Sequence, residues 1–330
     1  MSTGKITENM FYNKFGVRLD LALEAHQVVR GEVGKEIPGV KQDIEHFNHA
    51  QVNIVTVADP IGEEFIGKPI GSYITIEAPE IKHNNFEVHN EISQILAKKL
   101  ESLLNIGQDA TVLVIGLGNW QATPDALGPQ VINKTIVTRH LKDYAPEELA
   151  GGLRPVCALT PGVLGITGIE TAEIIKGVVD KVKPSLIIAI DALAARNVER
   201  IGTTIQLANT GINPGSGIGN NRIGINEESM GVPVIAIGVP TVVHAAVIAK
   251  DSIDALMHNL KHMPGLSTQI NEDAISTAIG NVLQPFANNL IVTPKEIDSL
   301  IESSSKIIAS GISQALHPSI DSTNINSYIH

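Results

Sequence analysis

Apolar and polar positions alternate along 52–59 (VNIVTVAD) and 72–79 (SYITIEAP), and both stretches are read as strands. Between 85 and 104, Val88, Ile92, Ile95, Leu96, Leu100 and Leu103 recur at three- and four-residue steps, which predicts an amphipathic helix. From 110 onward the pattern becomes strand then helix, repeated. ATVLVIG (110–116) leads to a helix starting near Pro124, and RPVCALT (154–160) leads to a helix across 168–179. SLIIAID (185–191) is followed by ALAARNVER, then by GTTIQLAN (202–209). VPVIAIG (232–238) leads to a helix over 241–260, and NLIVTP (289–294) to a last helix over 295–316. Strands this continuously apolar are buried on both faces, which is the habit of parallel sheets. The expected fold is α/β, with a doubly wound, mostly parallel sheet flanked by helices. Residues 1–20 are polar, mixed and poorly patterned, and no linker divides the remainder. The segment 210–231 is too rich in Gly, Asn and Pro for regular structure, so it is read as a long ordered loop or a lid.

Composition narrows the picture. Hydrophobic residues make up 43% of the 330 positions and aromatics only 3%, so the core must be Ile, Val, Leu and Ala. The net charge of -11, with no Lys/Arg block, argues against nucleic acid as a direct partner. No apolar run reaches the ~18 residues a membrane span needs, and the N-terminus has no signal-peptide core. A cytoplasmic protein without a membrane partner is expected. Cys157 is the only cysteine, so there is no intrachain disulfide, and in PVCAL it reads as a core thiol rather than a nucleophile.

Open α/β sheets build their sites at the carboxyl ends of strands. Two aspartates fall there: Asp191 ends SLIIAI, and Asp125 lies one short loop beyond VLVIG. Asp125 also suits the first turn of a helix, where the dipole favours a negative charge. Asp191 follows five apolar residues and needs partners at a buried strand end, with Arg196 close by in sequence. Gly116 and Gly118 begin like a dinucleotide loop, but Gln121 stands where the third glycine is wanted. Ser216 lies in a loop and not on a nucleophile elbow. No H-E-x-x-H or C-x-x-C occurs, so a standard zinc site has no support. Asp125, Asp191 and His244 would suit a metal if they converged.

The stretches VLVIGLGNWQATPDALGP, ALTPGVLGITGIET, IIAIDALAARN, QLANTGINPGSGIGNNR and GVPVIAIGVPTVV, with IGKPIGSYITIEAPEI upstream, occur in this order. Together they resemble the germination proteases of spore-forming bacteria, over nearly the whole chain. The resemblance implies an aspartic-type endopeptidase, not pepsin-like, that degrades small acid-soluble spore proteins in the forespore or spore core. It implies a core like that of hydrogenase maturation proteases, a homotetramer, and no cofactor. The two active-site acids would be Asp125 and Asp191, with Asn119, Arg196 and His244 as supporting residues. The glycines then let the chain turn tightly, and Asp125 is what the loop presents. The family is made as a zymogen that removes its own N-terminal segment at a substrate-like site: an acid, Ile or Phe, Ala, a small residue, Glu. Here the chain offers Asp20, then Leu21, Ala22, Leu23 and Glu24, matching the acid, the Ala and the Glu with leucines at the other two places, and cleavage is expected between Asp20 and Leu21. Residues 1–20 would be a propeptide and 21–330 one protease domain. On the residues alone, DLALEAHQVV is an ordinary helix start capped by Asp20. Leu19 stands where a Thr-like residue belongs, and His244 where the family has an acid. The alternative is a metal-dependent hydrolase or maturation-type protease using Asp125, Asp191 and His244.

Overall fold

The computed structural model describes residues 8–33, 36–143, 153–214, 223–260, 272–287 and 289–318. Helices α1 (Glu8–Phe15) and α2 (Ala22–Val33) precede strands β1 (Val40–His46) and β2 (Gln51–Val57). Then come α3 (Pro60–Ile66), β3 (Gly71–Glu77), α4 (Phe86–Leu103), β4 (Val112–Gly116), α5 (Leu127–Lys134) and β5 (Val156–Leu159). They are followed by α6 (Thr171–Val182), β6 (Leu186–Ala195), β7 (Thr204–Ala208) and β8 (Val234–His244). The last elements are α7 (Ala245–Leu260), α8 (Glu272–Leu283), β9 (Ile291–Val292) and α9 (Ile297–Leu316).

The described strands form one sheet in the order β1-β2-β3-β7-β8-β6-β4-β5, with β9 against β8. Helices cover both faces of its central part, because alternate side chains on each strand must be buried on opposite sides. Val112 and Val114 of β4 join a core with residues of α4, α5 and α9. Leu113 and Ile115 join a second core with Ala172, Ile175 and Val179 of α6. The architecture is therefore doubly wound α/β, as the sequence pattern indicates.

The sheet is mixed, however, and not mostly parallel. Parallel pairing is confined to β5-β4-β6-β8. β1, β2, β3, β7 and β9 pair antiparallel. Four residues join β1 to β2, and a connection that short can only make a hairpin. β1 carries Lys41, Asp43 and Glu45 on an exposed edge, a pattern that discourages further strands from pairing there.

Two strands outrun their expected limits. ALAARNVER does not continue as a helix: β6 carries on through Ala195, paired with β8 as far as Val243. β8 in turn runs to His244, and α7 begins only at Ala245. The N-terminal segment is also ordered where it is described. Phe11, Tyr12, Phe15 and Val17 are buried against Val28, Ile201, Val243, Ala246, Val247, Ile279 and Leu283. Cys157 is half-buried on β5 and its thiol is pushed up by burial, which agrees with an inert core position.

Candidate active site

β4 stops where β6 beside it continues. Its last pairing sets Gly116 opposite Ile190, and the Leu117 N–H donates to the Ile190 carbonyl at 2.8 Å. The chain then turns back so closely that side chains are excluded. A Cβ on Gly116 would stand 2.3 Å from the Gly128 carbonyl oxygen. Gly118 takes φ +111°, and its Cβ would stand 2.0 Å from the Asp125 carbonyl oxygen. Asn119 closes the turn: its N–H donates to that carbonyl at 3.0 Å, and its Oδ1 accepts the Gln121 N–H at 2.9 Å. The G-x-G pair thus serves backbone crossing and leaves no phosphate cradle. Asp125 ends a 3-10 turn over Thr123–Asp125 and is half-buried. It does not cap α5, whose N-cap position is Ala126 without a side-chain cap.

Asp191 lies inside β6, one residue beyond the level at which β4 ends, and is buried. The strand-end reading is corrected in that sense: the carboxyl edge belongs to β4, while β6 and β8 run past it. Asp191 Oδ1 accepts the N–H of Ala192 at 2.9 Å. Register places Asp191 beside Gly238, and Gly238 beside Gln206 on β7. These three residues share one face of the sheet, and the middle one has no side chain. Past Leu193 and Pro240 the register shifts, adding Thr241 to β8 as a bulge. Thr241 is buried, and its Oγ1 has no hydrogen-bond partner among the described residues.

Over this floor lies residue 20. Asp20, Asp125 and Asp191 line one cavity of about 470 Å³, together with Asn119, Pro214 and Thr241. A second cavity, of about 140 Å³, shares Asp20 and Asp191 and is lined on its other side by Lys68 and Gln206. Asp20 Oδ2 accepts the Ala194 N–H at 2.9 Å, just beyond the bulge. The Asp20 carbonyl accepts from Lys68 Nζ at 2.9 Å and from Gln206 Nε2 at 3.4 Å. Gln206 Oε1 accepts the Ala22 N–H at 2.7 Å, so a side chain from β7 caps the start of α2. The residues that follow are enclosed: Leu21 and Ala22 are each 0% exposed.

Glu24 is buried as well, with a complete set of partners. Its Oε1 meets Arg200 at 3.0 Å and the Asn197 N–H at 3.0 Å, and its Oε2 accepts the Arg196 N–H at 2.8 Å. Burial raises the Glu24 pKa, opposed chiefly by the Arg200 charge. Arg200 is in turn held by Glu77 at 3.1 Å and by Gln27.

The family profile described as germination protease matches residues 19–264 and 259–329. The chain belongs to the germination protease family. The germination protease of Clostridium tetani (strain Massachusetts / E88) is 49% identical over 95% of this chain and 99% of its own. That of Caldanaerobacter subterraneus subsp. tengcongensis is 48% identical over 96% and 98%, and that of Bacillus mycoides (strain KBAB4) 41% over 98% and 100%. Among solved structures, a [NiFe] hydrogenase maturation protease, HycI from Thermococcus kodakarensis KOD1, is similar at a TM-score of 0.33 and 16% identity, covering 66% of this chain and 98% of that one. A germination protease is a peptidase.

Of the residues picked from the sequence, Asp20, Asn119, Asp125 and Asp191 line the larger cavity, and Leu21 is enclosed behind it. Arg196 goes elsewhere: its Nε donates to the Tyr12 hydroxyl, and its guanidinium lies 3.9 Å from Asp251. It therefore ties α1 to α7. His244 is buried at the end of β8, where Nδ1 accepts the Ala246 N–H at 3.2 Å, and it is absent from the cavity wall. Among the described residues no three His, Cys, Asp or Glu side chains form a metal-binding group, so the alternative set of Asp125, Asp191 and His244 is not brought together. The loop expected over 210–231 borders both cavities through Pro214, Asn213 and Asn226, while 215–222, with Ser216, lie outside the described residues. Sequence reading passed over Lys68, Gln206, Arg200 and Thr241. A signal existed for Gln206, a polar side chain in a buried apolar run.

Proposed function

We propose that the chain is a self-processing aspartic-type endopeptidase of spore germination, which cuts small acid-soluble spore proteins after an acidic residue. The observation that carries this reading is that Asp20, at the substrate-like site of the chain itself, lines the same cavity as Asp125 and Asp191. The fit extends downstream. Leu21 and Ala22 are enclosed as an Ile/Phe–Ala pair would be, and Glu24, the fourth residue past the bond, is bound by Arg200 and two backbone N–H groups.

Two carboxyl groups in one cavity do not both ionise cheaply, so one retains a proton and the pair titrates as a unit. The ionised member takes a proton from water as the oxygen attacks the Asp20 carbonyl carbon. The protonated member passes its proton to the Leu21 nitrogen as the C–N bond breaks. The water's hydroxyl ends on Asp20 and one proton on the new amine. The proposed assembly is a homotetramer acting in the cytoplasm of the forespore or spore core. Among the described residues no helix is long and apolar enough to cross a membrane.

The test incubates the full chain from pH 5 to 8, alone and with a Glu-Ile-Ala-Ser-Glu peptide, and reads products by mass spectrometry. Cleavage at Asp20–Leu21 and after the peptide's first Glu, lost in D125N and in D191N and unaffected by EDTA, is the expected result. Cutting that persists in both variants refutes the carboxyl pair. Cutting abolished by EDTA transfers the reaction to a metal-dependent hydrolase. Sedimentation of the same sample checks the tetramer.

A further inference from the structure

Lys68 belongs to no expected site, yet its ammonium touches the one carbonyl that matters for the proposed cut. Its position is rigidly set. α3 is capped by Asp59, whose Oδ1 accepts the Gly62 N–H at 2.9 Å, and it ends in a left-handed Gly67, whose N–H returns to the Glu63 carbonyl. Pro69 follows at once, and its carbonyl accepts the Tyr73 hydroxyl at 2.8 Å. Lys68 is thus fixed between a helix terminus and a pinned proline. The residue is half-buried, and its ammonium reaches the Asp20 carbonyl at 2.9 Å. Gln206 approaches the same oxygen from β7 at 3.4 Å and also holds the Ala22 N–H. The peptide on either side of the Asp20–Leu21 bond is therefore gripped from one cavity while Asp125 lines the other.

We propose that Lys68 is a catalytic residue of this protease, donating with Gln206 to the carbonyl oxygen of the bond to be cut and stabilising the oxyanion as water adds. The inference rests on the reading of Asp20–Leu21 as the processed bond. It redistributes the chemistry. As the carbonyl π bond opens, its electron pair moves onto an oxygen already facing an ammonium and an amide N–H. The two carboxyl groups are then left for the water and the leaving amine. Charge develops on that oxygen only in the transition state, so the contact strengthens where it accelerates the reaction. The charged groups that oppose the burial of Lys68 are Asp20 and Glu24, and Asp191 and Tyr73 line its cavity. Burial lowers its pKa despite those carboxylates, so the protonated donor is lost at lower pH than for an exposed lysine.

The experiment follows processing of the full chain from pH 6 to 10, for the wild type, K68M and K68R. Each variant is first checked for a cooperative melt by circular dichroism. The expected result is a roughly 10²- to 10³-fold slower cut in K68M, the scale of losing one oxyanion donor. K68R should recover a substantial part of the rate, with its alkaline limb displaced to higher pH. On the added peptide, K68M should lose kcat with KM little changed. A folded K68M that cuts at the wild-type rate overturns the proposal while leaving the carboxyl pair standing. If K68M does not melt cooperatively, K68R decides: an alkaline limb that does not move overturns the assignment. A wild-type chain that never cuts at Asp20–Leu21 instead removes the reading on which the proposal rests.

Discussion

Arg200→Met should be among the more destabilising single changes at this site, and its cost can be worked from the contacts. Glu24 is 1% exposed and keeps two backbone N–H donors in the variant, but it loses the one ion pair it makes among the described residues, with the Lys68 charge farther off. Removing one member of a buried ion pair costs about 3–5 kcal/mol, because the other is left charged and desolvated. At about 2 °C per kcal/mol for a chain of this size, the melting temperature should fall by roughly 6–10 °C. The pH dependence follows from the direction of the Glu24 shift. Its folded pKa already lies above the unfolded value, so the folded state favours the protonated form. Its contribution to stability is fullest below the unfolded pKa and declines as pH rises through the folded one. Without Arg200 the folded pKa climbs further, so the deficit should be larger at pH 7 than at pH 5. The assay is thermal unfolding by circular dichroism of wild type, E24Q, R200M and E24Q/R200M at both pH values. The double variant should recover much of the loss. A fall of less than 2 °C in R200M, or a double variant no more stable than R200M, would refute the claim that an uncompensated Glu24 is the cause.

Gly118→Ala forces a side chain into φ +111° and against the Asp125 carbonyl. It should cost roughly 1–3 kcal/mol and slow processing by displacing Asp125; a variant with wild-type melting and rate would show that the turn is not under this constraint. Burial, aided by the nearby Arg154 charge, pushes the His317 imidazole down to about 4. Between the unfolded value of about 6.5 and that folded value the unfolded chain binds a proton that the native state refuses, so stability should fall as pH drops through this window. His317→Gln should flatten that part of the melting profile, and an equally steep profile in the variant would exclude His317 as its source.

The parallel half of the sheet was legible because its strands carry unbroken apolar runs, and α4 and α9 because their stripes keep helical steps over several turns. The errors have local causes. ALAA is good helix-forming sequence, yet pairing with the long β8 holds it extended, so tertiary contact overrides propensity there. That extension is what turned an apparent strand end at Asp191 into a mid-strand position. β1 escaped notice because an exposed edge strand shows little apolar alternation. α1 escaped because its three aromatics gain meaning only against Val243, Ala246 and Ile279, more than two hundred residues away. Asp125 and Asp191 were readable as cavity-lining acids from their places after apolar runs. Lys68 was not, since a lysine beside a proline is indistinguishable from a surface turn until the Asp20 carbonyl is placed beside it.

The burial of α1 separates two events that are easily merged. Hydrolysis at Asp20–Leu21, if the chain is processed as proposed, would change connectivity but remove none of the apolar contacts of Phe11, Tyr12, Phe15 and Val17, nor the link from the Asp20 carboxylate to Ala194. The severed segment then becomes a bound ligand with its own dissociation constant, having exchanged the high local concentration of a tether for the concentration of free peptide. Two processes would govern the opening of the site: the cutting of one bond, and the equilibrium occupancy of the site by the severed helix. The second depends on dilution and the first does not, so a packed, dehydrated compartment and a swelling one would hold the same cut molecules at different occupancies.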